Sequence, residues 1–315
     1  MQIIQAPRAS AIIYSLLANR GNKNPWLLPA HLCPSVPSTF LKAQIPFQFV
    51  DISSQTLHMN LAQAEQLVKS RKFGGLLYAH TYGEASTPSE FFVSVKSLSP
   101  DLMIIDDRCL CVPDLEFDPD NQADIQLYST GYAKIVDLNF GGYAFRRDEI
   151  DYQPAHLSFH PEDHEEMERA YKVAISQRAK FDYLDSDWLE TDTPVQAWDE
   201  YCAQIKKSLA ESLEHRISLN QVYASTLPEE VQLPAPFQTW RFNIRVGNKQ
   251  SILDAIFSSG LFASSHYASL AGMMDDGRAP QAEALGEGII NLFNNHHFTL
   301  EQAKQVCEII LENLS

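Results

Sequence analysis

Three residue types with chemical use stand in order along the chain. An apolar run, Leu102 to Ile105, ends in Asp106-Asp107; a second run, Ala123 to Tyr128, delivers Ser129; Lys134 follows, ahead of Gly141-Gly142. A carboxylate at one strand end, a hydroxyl at the next and a lysine just beyond are the groups that a pyridoxal phosphate site requires. The acid pairs with a protonated pyridine nitrogen and keeps the ring an electron sink. The hydroxyl and the backbone N–H groups of its turn suit a phosphate. The lysine forms a Schiff base once a partly desolvated pocket has lowered its affinity for a proton. Each group also has a plainer reading. Asp106-Asp107 serve equally as a helix cap or turn acid, or as carboxylates for Mg²⁺. Ser129 beside Gly131 is an ordinary turn serine, a lone lysine is usually solvated, and Gly141-Gly142 mark a bend or a close backbone approach.

These groups need a scaffold that brings strand ends together, and the first half of the sequence reads as one. Strand candidates are Trp26 to Leu28, Phe47 to Asp51, Gly75 to Ala79, Leu102 to Asp106, Ile125 to Ser129 and Gly142 to Arg146. Between them, Ala9 to Ala18, Leu61 to Val68 after the cap residue Asn60, and Pro88 to Val95 carry helical spacing. The pattern predicts an α/β fold, a mostly parallel sheet with helices on both faces. The texture turns acidic and polar between Asp151 and Pro194, with a charged helix opening at Pro161. A long helix then spans Val195 to Tyr223 and stops at the proline-rich stretch Pro228 to Pro236. Beyond it, Arg241 to Val246, Gln250 to Ser258, Phe262 to His266, Ile289 to Phe293 and Leu300 to Leu314 read as a small C-terminal α+β domain. The division expected is residues 1–195 for the large domain and 196–315 for the linking helix and small domain.

Composition removes several functions. The chain has 315 residues, 45% of them apolar, enough for a full core. Lys and Arg number 24 against 40 Asp and Glu, a formal charge of −16 that gives no footing for a nucleic acid backbone. Five scattered cysteines, Cys33, Cys109, Cys111, Cys202 and Cys307, read as reduced thiols of a cytoplasmic protein. No basic-then-apolar leader and no run of about 18 apolar residues points to export or a membrane span. His31, His80, His266 and His296-His297 lack metal-ligand spacing and read as surface or satisfied core residues. Neither a Walker-type loop nor a Gly-x-Gly-x-x-Gly follows a strand. Arg241 and Arg245 read as surface salt-bridge residues or, as planar forks, as a carboxylate site.

Taken in order, Trp26-Leu-Leu-Pro-Ala-His-Leu-Cys-Pro-Ser-Val36, Phe49-Val-Asp51, His80-Thr-Tyr-Gly83, Ile104-Ile-Asp-Asp107, Ala123-Asp124, Tyr128-Ser129 and Lys134 with Gly141-Gly142 form one series. The series resembles the DegT-type aminotransferases. These are fold-type I pyridoxal phosphate enzymes, most of which aminate keto groups on nucleotide-linked sugars. The likeness continues more faintly through Phe242-Asn-Ile-Arg-Val246, Ser265-His-Tyr267 and Ile290-Asn-Leu-Phe293. By position it makes Lys134 the Schiff-base lysine and general acid/base, Asp107 the partner of the pyridine nitrogen and Ser129 a phosphate ligand. Arg8-Ala9-Ser10 match the turn that cradles phosphate at a helix N-terminus, and Cys33 stands where the family often stacks an aromatic ring on the cofactor. The resemblance implies an amino-acid donor, a keto acceptor, a homodimer and no metal. The chain departs from the family at Pro7, where glycine is usual, at Leu110, where Gln or His is usual, and in lacking a Gly-x-Asn-x-Arg-like segment after Gly142. Those departures also fit a non-transaminating binding or regulatory protein of the same fold.

Overall fold

The computed structural model describes residues 2–314. Strands β1 (Gln2–Ala6), β2 (Trp26–Pro29), β3 (Phe47–Val50), β4 (Gly75–Ala79), β5 (Met103–Asp107), β6 (Ile125–Ser129) and β7 (Gly142–Arg146) form one sheet in the order β1-β7-β6-β5-β4-β2-β3. From β3 through β6 every pairing is parallel, whereas β7 runs antiparallel to both β6 and β1. The expected mostly parallel α/β sheet is therefore present, with an antiparallel edge.

The alternation of side chains along each strand decides which helix covers which face. Trp26, Leu28, Leu77, Ile105 and Leu127 pack with helices α1 (Ala9–Ala18) and α2 (Ser35–Lys42), through Ile12, Ile13, Leu16 and Phe40. Their neighbours Leu27, Leu76, Tyr78 and Ile104 point the other way, against Ala64 and Val68 of α3 (Leu61–Ser70) and Phe92 and Val95 of α4 (Ser89–Leu98). Both faces are thus buried, as parallel strands require. Asn60 caps α3 by accepting from the Gln63 amide, as its position suggested.

After α5 (Pro161–Gln177), helix α6 (Trp198–Thr226) runs 29 residues. Its first half packs Tyr201 and Ile205 on Tyr128, Tyr143 and Phe145 of the large sheet. Its second half contributes Leu219 and Tyr223 to another core, built with β8 (Phe242–Arg245), α7 (Lys249–Ser258), β10 (Ile289–Leu292) and α9 (Leu300–Asn313). A three-stranded antiparallel sheet, β8-β10-β9, lies there, with β9 reduced to Ala263–Ser264. Helix α8 (Pro280–Gly288) precedes β10, and the chain around it returns to the first core through Leu270, Met273, Ala282 and Leu285. Helix α9 opens with a full capping box between Thr299 and Gln302.

The doubled glycine is a packing requirement rather than a simple bend. A Cβ on Gly142 would lie 2.3 Å from the Ala9 amide nitrogen, and one on Gly141 would lie 2.7 Å from Thr130 Oγ1 and closer still to the Tyr201 hydroxyl. Gly141 also has φ +94°. The atoms that crowd Gly142 are backbone and have no rotamer to change. Gly142→Ala should lower stability by about 2 kcal/mol or more, read as a shifted urea midpoint. Gly131→Ala, where the added carbon meets only Ser129 Oγ at 3.5 Å, should move it by less than about 1 kcal/mol.

Candidate active site

Strand register gathers the predicted groups on one edge of the sheet. Asp107 ends β5 and pairs with Leu127 of β6; Ser129 ends β6 and pairs with Gly142; Gly142 in turn pairs with Ala6, the last residue of β1. The carboxyl ends of β5 and β6, the start of β7 and the start of α1 therefore lie side by side, where open α/β sheets bind ligands. Lys134 sits in the loop that leaves Ser129 and returns at Gly142.

That loop is held at many points. Lys134 N–H donates to Gly131 O at 3.3 Å, and Leu138 N–H to Thr130 O at 2.8 Å. Ala133, at φ +61°, donates its N–H to Asp137 Oδ2 at 2.8 Å, while its carbonyl accepts from Trp240 Nε1 at 2.7 Å. Arg216 of α6 adds donors to the carbonyls of Lys134 and Ile135, both at 3.3 Å, and bonds Trp240 O, Asn294 Oδ1 and Ser212 Oγ. Arg216 and Trp240 escaped the sequence reading. A basic residue in a charged helix carries no sign of being buried, and Trp240 could be read only as core.

Asp107 and Lys134 both act electrostatically on Cys109. The thiol is pushed well up by burial and by Asp107, which also accepts a hydrogen bond from it, while Lys134 acts in the opposite sense. Asp107 Oδ1 accepts from the Cys109 amide at 3.0 Å. Tyr267 lies within electrostatic reach of Cys33, Asp107 and Cys109, and burial drives its hydroxyl's pKa well up. Cys33 is held by Ser35 Oγ at 3.1 Å. Cys33 and Asp107 thus both act on Tyr267, and Asp107 and Lys134 both act on Cys109.

Asp106 belongs elsewhere. It is fully buried on the α3–α4 face and accepts from Asn121 Nδ2 at 2.6 Å, His80 Nε2 at 2.7 Å and Arg108 Nη1 at 3.2 Å. Burial raises its pKa, but His80, Arg108 and Asn121 outweigh that and hold it below the usual carboxylate range. Because consecutive strand residues face opposite sides, Asp106 and Asp107 do not share an ion, and the Mg²⁺ reading loses its ligand pair. His58, His80 and Glu84 also cluster within metal-binding distance. His80 is bonded through Nδ1 to the Glu84 carbonyl at 2.6 Å and through Nε2 to the Asp106 carboxylate at 2.7 Å, so both ring nitrogens are engaged within the protein.

The Arg8-Ala9-Ser10 turn is a backbone feature. Arg8 precedes α1 with no side-chain cap, the first turn holds no acid, and its Nε bonds Glu190 at 2.9 Å. The positive end of α1 is thus left without a charged side-chain partner. Pro7 is engaged only through its carbonyl, which accepts from Gly141 N–H at 2.6 Å. Arg245 is exposed, in keeping with a surface role, but Arg241 is 4% exposed and so is no surface residue. Burial overrides that part of the sequence expectation.

No family model and no curated relative matches the chain. Solved structures do. A DegT DnrJ EryC1 StrS aminotransferase from Brucella abortus superposes with TM-score 0.69 at 15% identity, covering 99% of this chain and 86% of that one. The putative sugar aminotransferase Spr1654 from Streptococcus pneumoniae, in its PMP form, gives 0.70 at 16% over 99% and 87%. NtdA from Bacillus subtilis with bound cofactor PMP gives 0.70 at 16% over 99% and 73%. The fold is that of the DegT-type aminotransferases. Within that fold, Lys134, Asp107, Ser129 and the start of α1 occupy one carboxyl edge, while the sheet's other buried acid, Asp106, faces away.

Two buried histidines on or near this edge give a pH signature. Burial, then His266, lowers His31 to about 3; burial, then His80, lowers His58 to about 4. Both are neutral in the folded chain and take up protons on unfolding below about pH 6.5, so stability falls as pH drops from there toward each folded value. Each contributes about 1.4 kcal/mol per pH unit in that window. Asp106 acts only lower, as pH falls through its own depressed range. Urea unfolding at pH 7, 6 and 5 should show this slope, and His58→Phe should remove one share of it.

Proposed function

We propose that the chain is a pyridoxal phosphate-dependent aminotransferase that moves an amino group from an amino acid donor to a keto acceptor, a nucleotide-linked keto sugar being the acceptor class. The observation behind this reading is the strand register that sets Asp107, Ser129 and the uncapped start of α1 on one carboxyl edge, with Lys134 in the loop between Ser129 and Gly142. The shared fold supports it, since the neighbouring structures include sugar aminotransferases in PMP and PLP forms. The reading extends to a homodimer in the cytoplasm, with residues 1–195 as the cofactor-binding part and 196–315 as the linking helix and small domain.

The residues fit the cofactor. Asp107, oriented by the Cys109 amide on Oδ1, would pair with a ring nitrogen. Ser129 and the N–H groups at the start of α1 would hold the phosphate, and Cys33 would border the ring. Pyridoxal phosphate, when bound, supplies an aldehyde that takes up the amino group and a ring that withdraws electrons from the carbon beside it. Lys134 would tether the cofactor and, once released, take a proton from the donor's α-carbon and return it to the neighbouring cofactor carbon. Arg216 and Trp240 hold the backbone of the loop that carries Lys134.

Protein loaded with pyridoxal phosphate should absorb visible light, lose the colour with borohydride, and carry the reduced label on Lys134. Lys134→Ala should neither hold the label nor turn over. Asp107→Asn should keep the label and slow the donor half-reaction on the order of 10²-fold or more. A colourless protein that cannot be loaded would sink the reading. One observation favours the non-transaminating alternative: Leu110, three residues past the acid, is buried and offers no side-chain hydrogen bond. A loaded protein inert toward a panel of amino acids would decide for that alternative.

A further inference from the structure

A groove of about 710 Å³ lies between the second half of α6 and the segment that follows it, and none of the candidate site residues lines it. One wall is a single face of α6, carrying Ile217, Asn220 and Ala224 at spacings of three and four. The other is formed by Leu233 and Pro234, between the short 3₁₀ turns Glu229–Val231 and Ala235–Gln238. A space of this size suits a small molecule. Ile217 is 57% exposed, so much of a large aliphatic side chain on this wall is left uncovered by the chain itself.

The chemistry of the lining selects the ligand. Its side-chain amides are already committed to the walls: Gln232 Nε2 donates to the Ala224 and Leu227 carbonyls at 3.2 and 2.8 Å, and Gln238 Nε2 to those of Leu233 and Asn243 at 2.7 and 3.1 Å. Glu229 is the one ionisable side chain among the described residues that line the groove, and its carboxylate has no ion-pair partner among them. An apolar body bearing one positive charge matches such a lining. An anion would meet both that carboxylate and a formal chain charge of −16.

The groove is wired to the lysine loop. Asn220 Nδ2 donates to Gln238 O at 2.8 Å, which joins the two walls, and Asn220 Oδ1 accepts from Asn294 Nδ2 at 3.0 Å. Asn294 Oδ1 in turn accepts from Arg216 Nη1 at 2.6 Å, and Arg216 Nη2 donates to Lys134 O at 3.3 Å. A continuous series of hydrogen bonds thus runs from the groove to the backbone of Lys134.

We propose that the groove binds a small amphiphilic cation and that its occupancy tightens the Lys134 loop. Neither part depends on the chemistry that the lysine performs. A ligand touching both walls resists their separation, and by mass action it lowers the population of every opening that breaks the Asn220–Gln238 bond. Openings of the loop that pull on Arg216 belong to that set.

Benzyltriethylammonium is a suitable probe, because its quaternary nitrogen cannot condense with an aldehyde. Calorimetric titration of purified protein should show one saturable site. Tetraethylammonium, the head without the ring, and benzenesulfonate, a ring of opposite charge, should each bind at least about 10-fold more weakly. Ala224→Trp, which fills the groove from an exposed helix position, should abolish binding without lowering the melting temperature. Ile217→Ser should weaken binding at least about 3-fold, which keeps the test open if the larger substitution disturbs the fold. Glu229→Gln should weaken it about 3-fold. In protein free of pyridoxal phosphate, the probe should slow hydrogen exchange of the amides of residues 131–138 at least about 3-fold. Asn294→Asp keeps an acceptor for Arg216 but loses the Nδ2–H given to Asn220. It should bind the probe as wild type does and lose the slowing. Equal affinity for benzenesulfonate, or binding indifferent to both Ala224→Trp and Ile217→Ser, overturns the site. Exchange that is unchanged or faster in wild type, or slowing that persists in Asn294→Asp, overturns the coupling. A doubling of mass in solution that Ala224→Trp abolishes would give the groove to a second copy of the chain and overturn the assignment.

Discussion

A guanidinium placed inside a protein must find acceptors for its N–H groups, and the solution reached by Arg216 organises the site. Its acceptors come from the lysine loop, from Trp240 ahead of β8 and from Asn294 beyond β10. Three segments far apart in sequence are thereby referred to one point on α6. Hydrogen bonds to a charged donor are stronger than neutral ones, and leaving the same carbonyls unsatisfied in the interior would be costly. The loop that carries Lys134 contains a non-glycine residue at positive φ, Ala133, and the bonds from Asp137 and Trp240 to that residue's own peptide groups over-determine its conformation.

The sheet contributes a different constraint, the strict alternation of faces. Asp106 and Asp107 are adjacent in sequence and opposite in role because a strand cannot point both inward on the same side. Asp106 joins His80, Asn121 and Arg108 in a hydrogen-bonded polar cluster that ties β4, β5 and the 121 region together. Asp107 stands at the carboxyl edge, oriented by the Cys109 amide. Gly141 and Gly142 complete that edge by permitting Tyr201, Thr130 and the start of α1 to approach the backbone more closely than any side chain would allow.

Much of this was legible in the sequence, and the exceptions have physical causes. Gly75 to Ala79, Ile125 to Ser129, Gly142 to Arg146 and Ala9 to Ala18 match the observed elements, since buried parallel strands and amphipathic helices leave strong patterns. Helix α2 was hidden by Ser-Val-Pro-Ser-Thr, poor helix formers with Pro37 near the start. A proline in a first turn costs little because those N–H groups lack intrahelical partners. Strand β1 is a short antiparallel edge with no turn signal before it, and α8 carries Gly286 inside and Gly288 at its end. Asp107, Ser129 and the α1 turn stand out in the sequence because each sits at a strand or helix end that the pattern marks, and Lys134 because it follows Ser129 closely. The burial of Arg216 and Arg241 was not legible, because it depends on what folds over a charged residue, and nothing local records that.

Helix α6 is a single rigid rod packed at one end against the large sheet, through Tyr201 and Ile205, and at the other into the C-terminal core, through Leu219 and Tyr223. Arg216 lies between those two ends. Mechanically the rod is a lever whose load point is the carbonyl of Lys134. Any tilt of the C-terminal sheet would be delivered to the lysine's backbone through the guanidinium, and to Arg241 through the strand it precedes. Opening the space between the two sheets and displacing the lysine would then be one motion, with no separate signal needed to couple them.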